Sequence, residues 1–315
     1  MDEVIPVATR MKWVEEEYPN AYITTQPQPL PQNPSETSLF WEIWRSCLLS
    51  LLPEKIDAVF ASETYGERLA TELSAEFIMV DNQRLQVPVS ATIIRNDAIS
   101  NWNFLAPSVQ RYWQKTICIF GPESTGKSTL TQQLAQHYQM PCVMEYAQEV
   151  IINKNGDIVF NDMEIIVKGH YQRLVEAQQT LAPLVFVDTD ALTSKIWSNE
   201  LFGSESSLIE EIIAKQKIDH YLLLDIDIPW VDDIHRYRPK YRNNFFERCE
   251  KELLTRHLPY TIIRGTGIKR LENAIHIIDS LLKGNDPLNY RANESRSELA
   301  HILLNEEEED KVSGG

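Results

Sequence analysis

The chain has 315 residues, a length that accommodates two domains. Hydrophobic residues make up 43% and charged residues 24%, the composition of an ordinary globular protein. The 46 Asp and Glu outnumber the 30 Lys and Arg, so the formal net charge is −16, which argues against a general nucleic-acid or membrane-surface binder.

The four cysteines are far apart and form no C-x-x-C pair. Cys118 and Cys142 fall in apolar, strand-like runs and are expected to be buried free thiols, so neither a disulfide framework nor a metal cluster is indicated. The first residues lack a basic segment followed by an apolar stretch, and no apolar run approaches about 18 residues. A reducing cytoplasm is the expected compartment.

The first third of the chain alternates between helix and strand patterns. Residues 21–37 contain four prolines and are predicted to form a loop or extended segment. An amphipathic helix pattern covers 38–52, a strand is predicted at 56–61, a helix at 67–73 and a strand at 76–80. This alternation predicts a parallel α/β layer.

A glycine-rich segment at 121–128 fits the pattern G-x-x-x-x-G-K-[ST] at every fixed position. An apolar strand pattern leads into it and an amphipathic helix pattern follows, which favours a phosphate-binding loop over a chance match in a glycine turn. Glycines let backbone N–H groups approach phosphate oxygens, the helix N-terminus adds partial positive charge, Lys127 supplies an ammonium group, and Ser128 can ligate Mg²⁺. The predicted ATP- and Mg²⁺-binding residues of the loop are Gly121, Glu123, Ser124, Thr125, Gly126, Lys127, Ser128 and Thr129.

A second alternation of strands and helices starts at Thr116, and we place a domain boundary near Gln114. Strands are predicted at 116–120, 142–144, 184–187, 220–225 and 260–263, and helices at 128–139, 162–181, 191–201, 206–216, 244–257 and 268–282. This is the order of a P-loop kinase domain with a parallel sheet. Beyond residue 284 the chain becomes polar and acidic, which predicts a mobile tail.

Acidic residues follow two of the predicted strands. Asp188 ends the apolar run at 184–187, where a carboxylate is placed to hold Mg²⁺, and Asp190 is either an acceptor-side acid or the cap of the following helix. Glu145 follows the strand at 142–144 and is either a general base for an acceptor hydroxyl or a helix N-terminal acid. Tyr146, Trp197 and Trp230 are candidates to stack on an aromatic ring, with burial in the core as the alternative.

A basic segment at 233–242 stands out in this acidic chain. In a kinase it would lie where a closing lid lies, with Arg236, Arg238 or Arg242 reaching the transferring phosphate. The alternative is a solvated surface loop.

These segments together resemble NadR-type bifunctional proteins. The sequences at 121–128, 145–146, 188–190 and 227–231, with Arg236 and Arg242, resemble the ribosylnicotinamide kinase domain of that family. Residues 87–95 resemble the I-S-x-T-x-x-R phosphate motif of its nicotinamide-mononucleotide adenylyltransferase domain. The similarity covers residues 8–282 in the family's domain order.

The resemblance implies ATP- and Mg²⁺-dependent phosphorylation of nicotinamide riboside in NAD salvage. It assigns Asp188 to the metal, Glu145 to the acceptor side, and Arg236 and Arg242 to the lid. It implies triphosphate contacts for Ser90, Thr92 and Arg95. The implied domains are a partial, Rossmann-like adenylyltransferase domain at 1–114, a kinase domain at 115–284 and the tail at 285–315.

The chain departs from the family in its first domain. It contains no H-x-G-H motif, whose imidazoles stabilise the α-phosphate during nucleotidyl transfer, and it begins where the family would be past its first βα unit. We therefore expect adenylyltransferase activity to be absent or severely impaired in this chain alone. Gln148 stands where the family often has arginine, which removes a cation near the acceptor.

Two other functions stay open at the level of sequence. The chain could be a P-loop kinase for another small hydroxyl acceptor, or a non-catalytic protein that senses ATP or NAD. A sensor needs the phosphate loop but not the full set of Lys127, Asp188, Glu145 and lid arginines. We expect a small-molecule substrate and neither a nucleic-acid nor a membrane partner, and homo-oligomerisation stays open.

Overall fold

The computed structural model describes residues 5–26, 28–52, 54–229 and 242–283. Predictions for Trp230, Arg236, Arg238 and the tail at 285–315 lie outside these residues. In chain order the elements are α1 (Val7–Glu17), α2 (Phe40–Leu51), β1 (Ala58–Ala61), α3 (Tyr65–Leu73), β2 (Glu76–Met79), α4 (Ala91–Asn96), a 3-10 helix (Trp102–Phe104), α5 (Pro107–Trp113), β3 (Lys115–Phe120), α6 (Lys127–Tyr138), β4 (Cys142–Val143), α7 (Ala147–Asn153), α8 (Phe160–Gln179), β5 (Leu184–Asp188), α9 (Ala191–Phe202), α10 (Ser207–Lys215), β6 (His220–Leu224), α11 (Arg242–Thr255), β7 (Tyr260–Ile263) and α12 (Gly267–Leu282).

Every predicted strand is present, with bounds within two residues of those predicted. The described part of 21–37 contains neither helix nor strand, as its prolines predicted. Helices α1, α4, α5 and α7 were not predicted. Three of them have only six or seven residues, too few for a 3.6-residue periodicity to show, and α1 buries no residue.

The structure divides into two compact units, residues 1–109 and 110–315. The first contains a two-stranded parallel sheet in which β1 pairs with β2 from Ala58↔Glu76 to Ala61↔Met79. Helix α3 connects the two strands and buries Ala70 and Leu73. The predicted boundary near Gln114 falls shortly after this division, and the functional assignment of the two units stays a prediction.

The second unit contains a five-stranded, fully parallel sheet with the order β4-β5-β3-β6-β7. Central strands of such a sheet are buried on both faces and therefore read as continuous apolar runs. In β3, Cys118 and Phe120 point to one face, and Ile117 and Ile119 point to the other. The predicted α/β fold with a parallel sheet is confirmed.

Helices cover both faces of this sheet. Residues of α6 and α12 pack on the face of Ile117 and Ile119, with Leu134, Ala274 and Ile278 fully buried. Residues of α7 to α11 pack on the opposite face. Strand β3 thus lies in the middle of the layer, and the segment that follows it opens at the carboxyl edge of the sheet, where open α/β sheets bind ligands.

Two further observations bear on the compositional predictions. Cys118 is a buried free thiol, as predicted, whereas Cys142 is only half-buried. Among the described residues, no helix combines the length and the apolar character that crossing a membrane requires.

Candidate functional site

The segment at 121–128 forms the loop between β3 and α6. At two of its positions the backbone conformation strongly favours glycine. Gly121 has φ 133°, and a Cβ there would lie 3.1 Å from the Leu224 backbone oxygen. Gly126 has φ 83° and immediately precedes the first residue of α6. Both conformations are strained for L-residues with a side chain, so these glycines are required by the backbone path.

Internal hydrogen bonds hold the loop in a curved shape. The buried Thr125 hydroxyl donates to the Pro122 carbonyl oxygen at 2.7 Å, and the Lys127 ammonium donates to the same oxygen at 3.0 Å. The N-terminus of α6, whose first N–H groups have no acceptor within the helix, follows this loop directly, and Lys127 is its first residue. This arrangement suits an anion such as a phosphate.

Asp188 is a buried carboxylate at the carboxyl end of β5. Asp188 pairs with Ile119 of β3 in the parallel sheet, and its side chain has no solvent exposure. Neither carboxylate oxygen has a hydrogen bond of standard geometry, although the Ser128 hydroxyl is close enough to lower the pKa of Asp188. Burial raises that pKa above its ordinary value, and the nearby Lys127 lowers it.

This carboxylate and hydroxyl fit a magnesium ion. Mg²⁺ takes oxygen ligands and typically binds through one or two carboxylates, waters and substrate phosphates. Within the described ranges, no group of three His, Cys, Asp or Glu residues could hold a metal by itself. Asp188 and Ser128 would therefore hold the ion together with oxygens of a bound nucleotide.

The backbone next to Asp188 is strained. Thr189 is 3% exposed and has φ 66°, a left-handed conformation that a β-branched residue rarely adopts. Its N–H donates to the Ile119 carbonyl at 3.0 Å, and its carbonyl oxygen lies 3.1 Å from His170 Nε2. Such strain, held by partners on both sides, is typical of functional positions.

Asp190 caps α9. Its Oδ1 accepts the N–H groups of Leu192 and Thr193 at 3.0 and 3.4 Å, and its Oδ2 accepts from Gln216 at 2.6 Å and from the Tyr221 hydroxyl at 2.7 Å. Burial nevertheless raises the pKa of Asp190 to about 6. The capping role is thus observed, and the acceptor-side role stays a prediction.

A cavity of about 250 Å³ opens beside the loop. Two aromatic rings, Tyr146 and Trp197, are part of its wall. Three acids, Glu123, Glu145 and Asp190, are part of it as well. The other lining residues are mostly apolar and come from α7, α8 and α9, so the cavity combines an apolar wall with a few polar groups, as small-molecule sites do.

Glu145 is the acid of this cavity closest in character to a general base. Surrounding protein raises its pKa to about 7; Lys127 opposes this shift, while Asp188 and Glu123 add to it by repulsion. The Gln148 amide lies 3.5 Å from Glu145 Oε2 and contributes a weak opposing effect. A carboxyl group with a pKa near neutrality exchanges protons readily at physiological pH.

Arg242 reaches the phosphate loop from the first residue of α11. Its guanidinium donates to the Ser124 carbonyl at 3.2 Å and to the Ile228 carbonyl at 2.9 Å, and burial lowers its pKa. The structure thus brings Arg242, Lys127, Asp188 and Glu145 to one edge of the sheet. The other lid arginine, Arg236, and the aromatic Trp230 lie outside the described residues.

The predicted triphosphate residues Ser90, Thr92 and Arg95 belong to the first unit. The Ser90 hydroxyl accepts the Ile93 N–H at 3.2 Å and caps α4, while Thr92 and Arg95 are exposed on that short helix. Their proposed contact with a nucleotide stays a prediction.

Arg270 is a residue beneath the phosphate loop that the sequence did not single out. Its guanidinium is almost fully buried under the phosphate loop and donates to the carbonyl oxygens of Thr125, Gly265 and Asp225 and to the Asp227 carboxylate. A signal was present, because Arg270, Ala274 and Ile278 recur every four residues along the buried stripe of α12. An arginine in an apolar stripe indicates a buried polar partner.

The comparisons with known proteins identify relatives for most of the chain. A family model described as "AAA domain" matches residues 116–270. The trifunctional NAD biosynthesis/regulator proteins NadR of Escherichia coli (strain K12) and Salmonella typhimurium (strain LT2) are each 26% identical to this chain over 201 residues. That alignment covers 61% of this chain and 49% of each relative, so the chain spans about half the length of the curated relatives it matches.

Two solved structures have the same fold. A crystal structure of a NadR protein in complex with NR has a TM-score of 0.60 and 22% identity, covering 86% of this chain and 81% of that one. Another, in complex with NAD and AMP-PNP, has a TM-score of 0.58 and 20% identity, covering 89% and 83%. The resemblance to NadR-type proteins that the motifs indicated is confirmed.

Replacement of Arg270 by methionine is expected to lower the free energy of unfolding by about 3 kcal/mol, because it leaves buried oxygens without donors. Urea unfolding followed by circular dichroism measures this. Lys269→Met, at the exposed neighbouring position, is the matched control. Equal stability of the two variants would contradict the supporting role of Arg270.

Replacement of Glu145 by glutamine should stabilise the protein in a pH-dependent way. The folded-state pKa of Glu145, about 7, lies above its ordinary value of 4.5, so the ionisation of this group destabilises the fold as pH rises through that window. The variant's melting temperature should therefore exceed that of the wild type at pH 8 by roughly 2–4 °C. The gain should vanish near pH 4.5, and exposed Glu272→Gln should show no such trend. A gain that is constant with pH would refute the assignment.

Proposed function

We propose that this protein phosphorylates nicotinamide riboside at a ribose hydroxyl with ATP, giving nicotinamide mononucleotide for NAD synthesis. The observation that carries the proposal is the buried Asp188 carboxylate beside Ser128, directly next to a cavity that contains Glu145. The similarity to NadR proteins, one of them solved in complex with NR, supports this choice of acceptor.

The phosphate loop would bind ATP. Its curved backbone offers N–H groups to the phosphates, and Lys127 would leave the Pro122 carbonyl and turn to the β- and γ-phosphate oxygens. Arg242, already against the Ser124 carbonyl, is placed to add positive charge where negative charge develops. Arg236 is proposed for the same role from sequence alone.

Asp188 and Ser128 would hold Mg²⁺. When bound, the ion neutralises charge on the β- and γ-phosphate oxygens. Asp188 would contribute its carboxylate at a fixed position, because β5 pairs with β3 on one side and with β4 on the other. Its lack of hydrogen-bond partners leaves both oxygens available.

Glu145 would accept the proton of the attacking hydroxyl. It lines the cavity together with Tyr146 and Trp197, whose rings suit a planar base. A pKa raised to about 7 makes Glu145 a stronger base than an ordinary carboxylate, and repulsion from Asp188 favours its uptake of the proton. The Gln148 amide is placed to orient the carboxylate.

A non-catalytic sensor would need neither Glu145 nor Arg242. Asp188 would also serve a protein that binds a metal–nucleotide complex without transfer, so the argument against a sensor rests on Glu145 in the cavity and Arg242 at the loop. A kinase for a different small alcohol shares every feature except the choice of acceptor. Assays with several nucleosides therefore accompany the test below.

Lys127→Ala and Asp188→Asn are each expected to lower kcat by about 10²–10³-fold, because both act on charge in the transition state. Release of ADP in the presence of nicotinamide riboside, Mg²⁺ and ATP measures this. Lys269→Ala and Glu272→Gln, which form an exposed ion pair on α12, are the matched controls and should retain wild-type rates.

Three outcomes would contradict parts of the proposal. Wild-type rates in either site variant would remove the site assignment. ATP binding without turnover would favour the sensor. Faster turnover with another nucleoside would favour a kinase for that acceptor.

The first unit, as given in this sequence, is proposed to have low or absent adenylyltransferase activity, because the sequence contains no H-x-G-H motif to supply the imidazoles. Incubation of the chain with nicotinamide mononucleotide, ATP and Mg²⁺ should yield no NAD above the level seen without protein. NAD formation by the purified chain would show this proposal to be wrong.

A further inference from the structure

The ring of Tyr146 occupies the place that a side chain would take on α8. A Cβ built on Gly169 would lie 2.2 Å from Tyr146 Cε1, 2.6 Å from Cδ1 and 2.7 Å from Cζ. Gly169 lies inside a 20-residue helix, where glycine is a poor helix former and no unusual backbone angle requires it. The close approach of the Tyr146 ring is therefore the reason for a glycine at this position.

A second contact to the ring comes from the next turn of α8. The guanidinium carbon of Arg173 lies 4.5 Å from the centroid of the Tyr146 ring, which is the geometry of a cation–π interaction. Glu149 on α7 fixes that guanidinium with two hydrogen bonds, at 2.5 and 2.8 Å. The positive charge is thus pre-oriented over the ring.

The backbone of Tyr146 is also tied to α8. Its N–H donates to His170 Nδ1 at 3.4 Å, while His170 Nε2 lies 3.1 Å from the Thr189 carbonyl. Burial lowers the pKa of His170, which favours the neutral imidazole that accepts at Nδ1. The backbone and the ring of Tyr146 are therefore held by one helix.

Tyr146 and His170 line the cavity of about 250 Å³ that is proposed to bind the acceptor, whereas Gly169 and Arg173 do not. The ring accordingly stands between these two residues and the cavity. We propose that Gly169 and Arg173 are positioning residues that set where the Tyr146 ring stands and so determine the room for the planar base of the acceptor. This inference rests on the proposed function for the identity of the acceptor.

Gly169→Ala tests the proposal directly. The added methyl group must displace the ring, and because α8 is packed against β4, β5 and α9 the ring moves towards the cavity. We expect the KM for nicotinamide riboside to rise at least tenfold, while the KM for ATP stays within twofold and kcat within threefold. Lys168→Ala, at the exposed neighbouring position of the same helix, should change none of these.

A double-mutant cycle separates ring displacement from a general effect on the helix. In a Tyr146→Ala background there is no ring to displace, so adding Gly169→Ala should leave the acceptor KM unchanged. The same fold-increase in both backgrounds would overturn the proposal. Arg173→Met, which keeps the length of the side chain and removes its charge, should raise the acceptor KM about threefold; no change would remove Arg173 from it.

A readout without substrate separates this inference from the proposed function. If the wild type releases no ADP with nicotinamide riboside, the proposed function fails. Hydrogen exchange then decides on the positioning role, since displacement of the ring should weaken the Tyr146 N–H···His170 bond. Faster exchange at Tyr146 in Gly169→Ala than in Lys168→Ala supports the role, and equal exchange overturns it.

Discussion

An unpartnered carboxylate inside the protein, that of Asp188, is the constraint on which the arrangement of the sheet edge depends. Leaving a buried polar group without a hydrogen bond costs about 1–3 kcal/mol, and more for a charged one. Three features keep the cost tolerable: the register with Ile119 that fixes β5, the Ser128 hydroxyl and the positive charge of Lys127. The group is compensated fully only when a cation joins it, so we infer that the site favours a metal–nucleotide complex over nucleotide alone.

The charges of Asp188 and Lys127 also act on Glu145 in the cavity. Burial beside the apolar wall of the cavity disfavours the ionised form of Glu145, and Asp188 and Glu123 disfavour it further by repulsion. Lys127 opposes both effects, and the resulting pKa of about 7 lets one carboxyl group take up and release a proton at neutral pH. A change at Asp188 or Lys127 would therefore also shift the pKa of Glu145.

Strands, helices and the phosphate loop could be predicted from local sequence patterns. Contacts between residues that are distant in the sequence could not. The inner strands β3, β5 and β6 are buried almost throughout and leave continuous apolar runs, whereas the half-buried β1 and β2 were predicted from short apolar runs between helix patterns. The loop at 121–128 was predicted because its glycines, lysine and serine occupy the fixed positions of one local pattern. Arg270 contacts Thr125 from 145 positions away, and the packing of Tyr146 on Gly169 joins α7's start to the middle of α8. The four-residue repeat of α12 indicates that Arg270 is buried, but the partner of Arg270 and the contact of Tyr146 with Gly169 are visible only in the folded chain.

His170 makes one imidazole the link between two otherwise separate places. One ring nitrogen lies against the carbonyl of Thr189, the residue after Asp188, and the other accepts the backbone N–H of Tyr146 on the cavity wall. One residue of α8 therefore contacts both the backbone beside Asp188 and the backbone of the cavity wall. A shift of α8 would therefore be expected to move the Thr189 carbonyl and the Tyr146 amide together, so that the phosphate-loop side and the cavity wall keep their spacing.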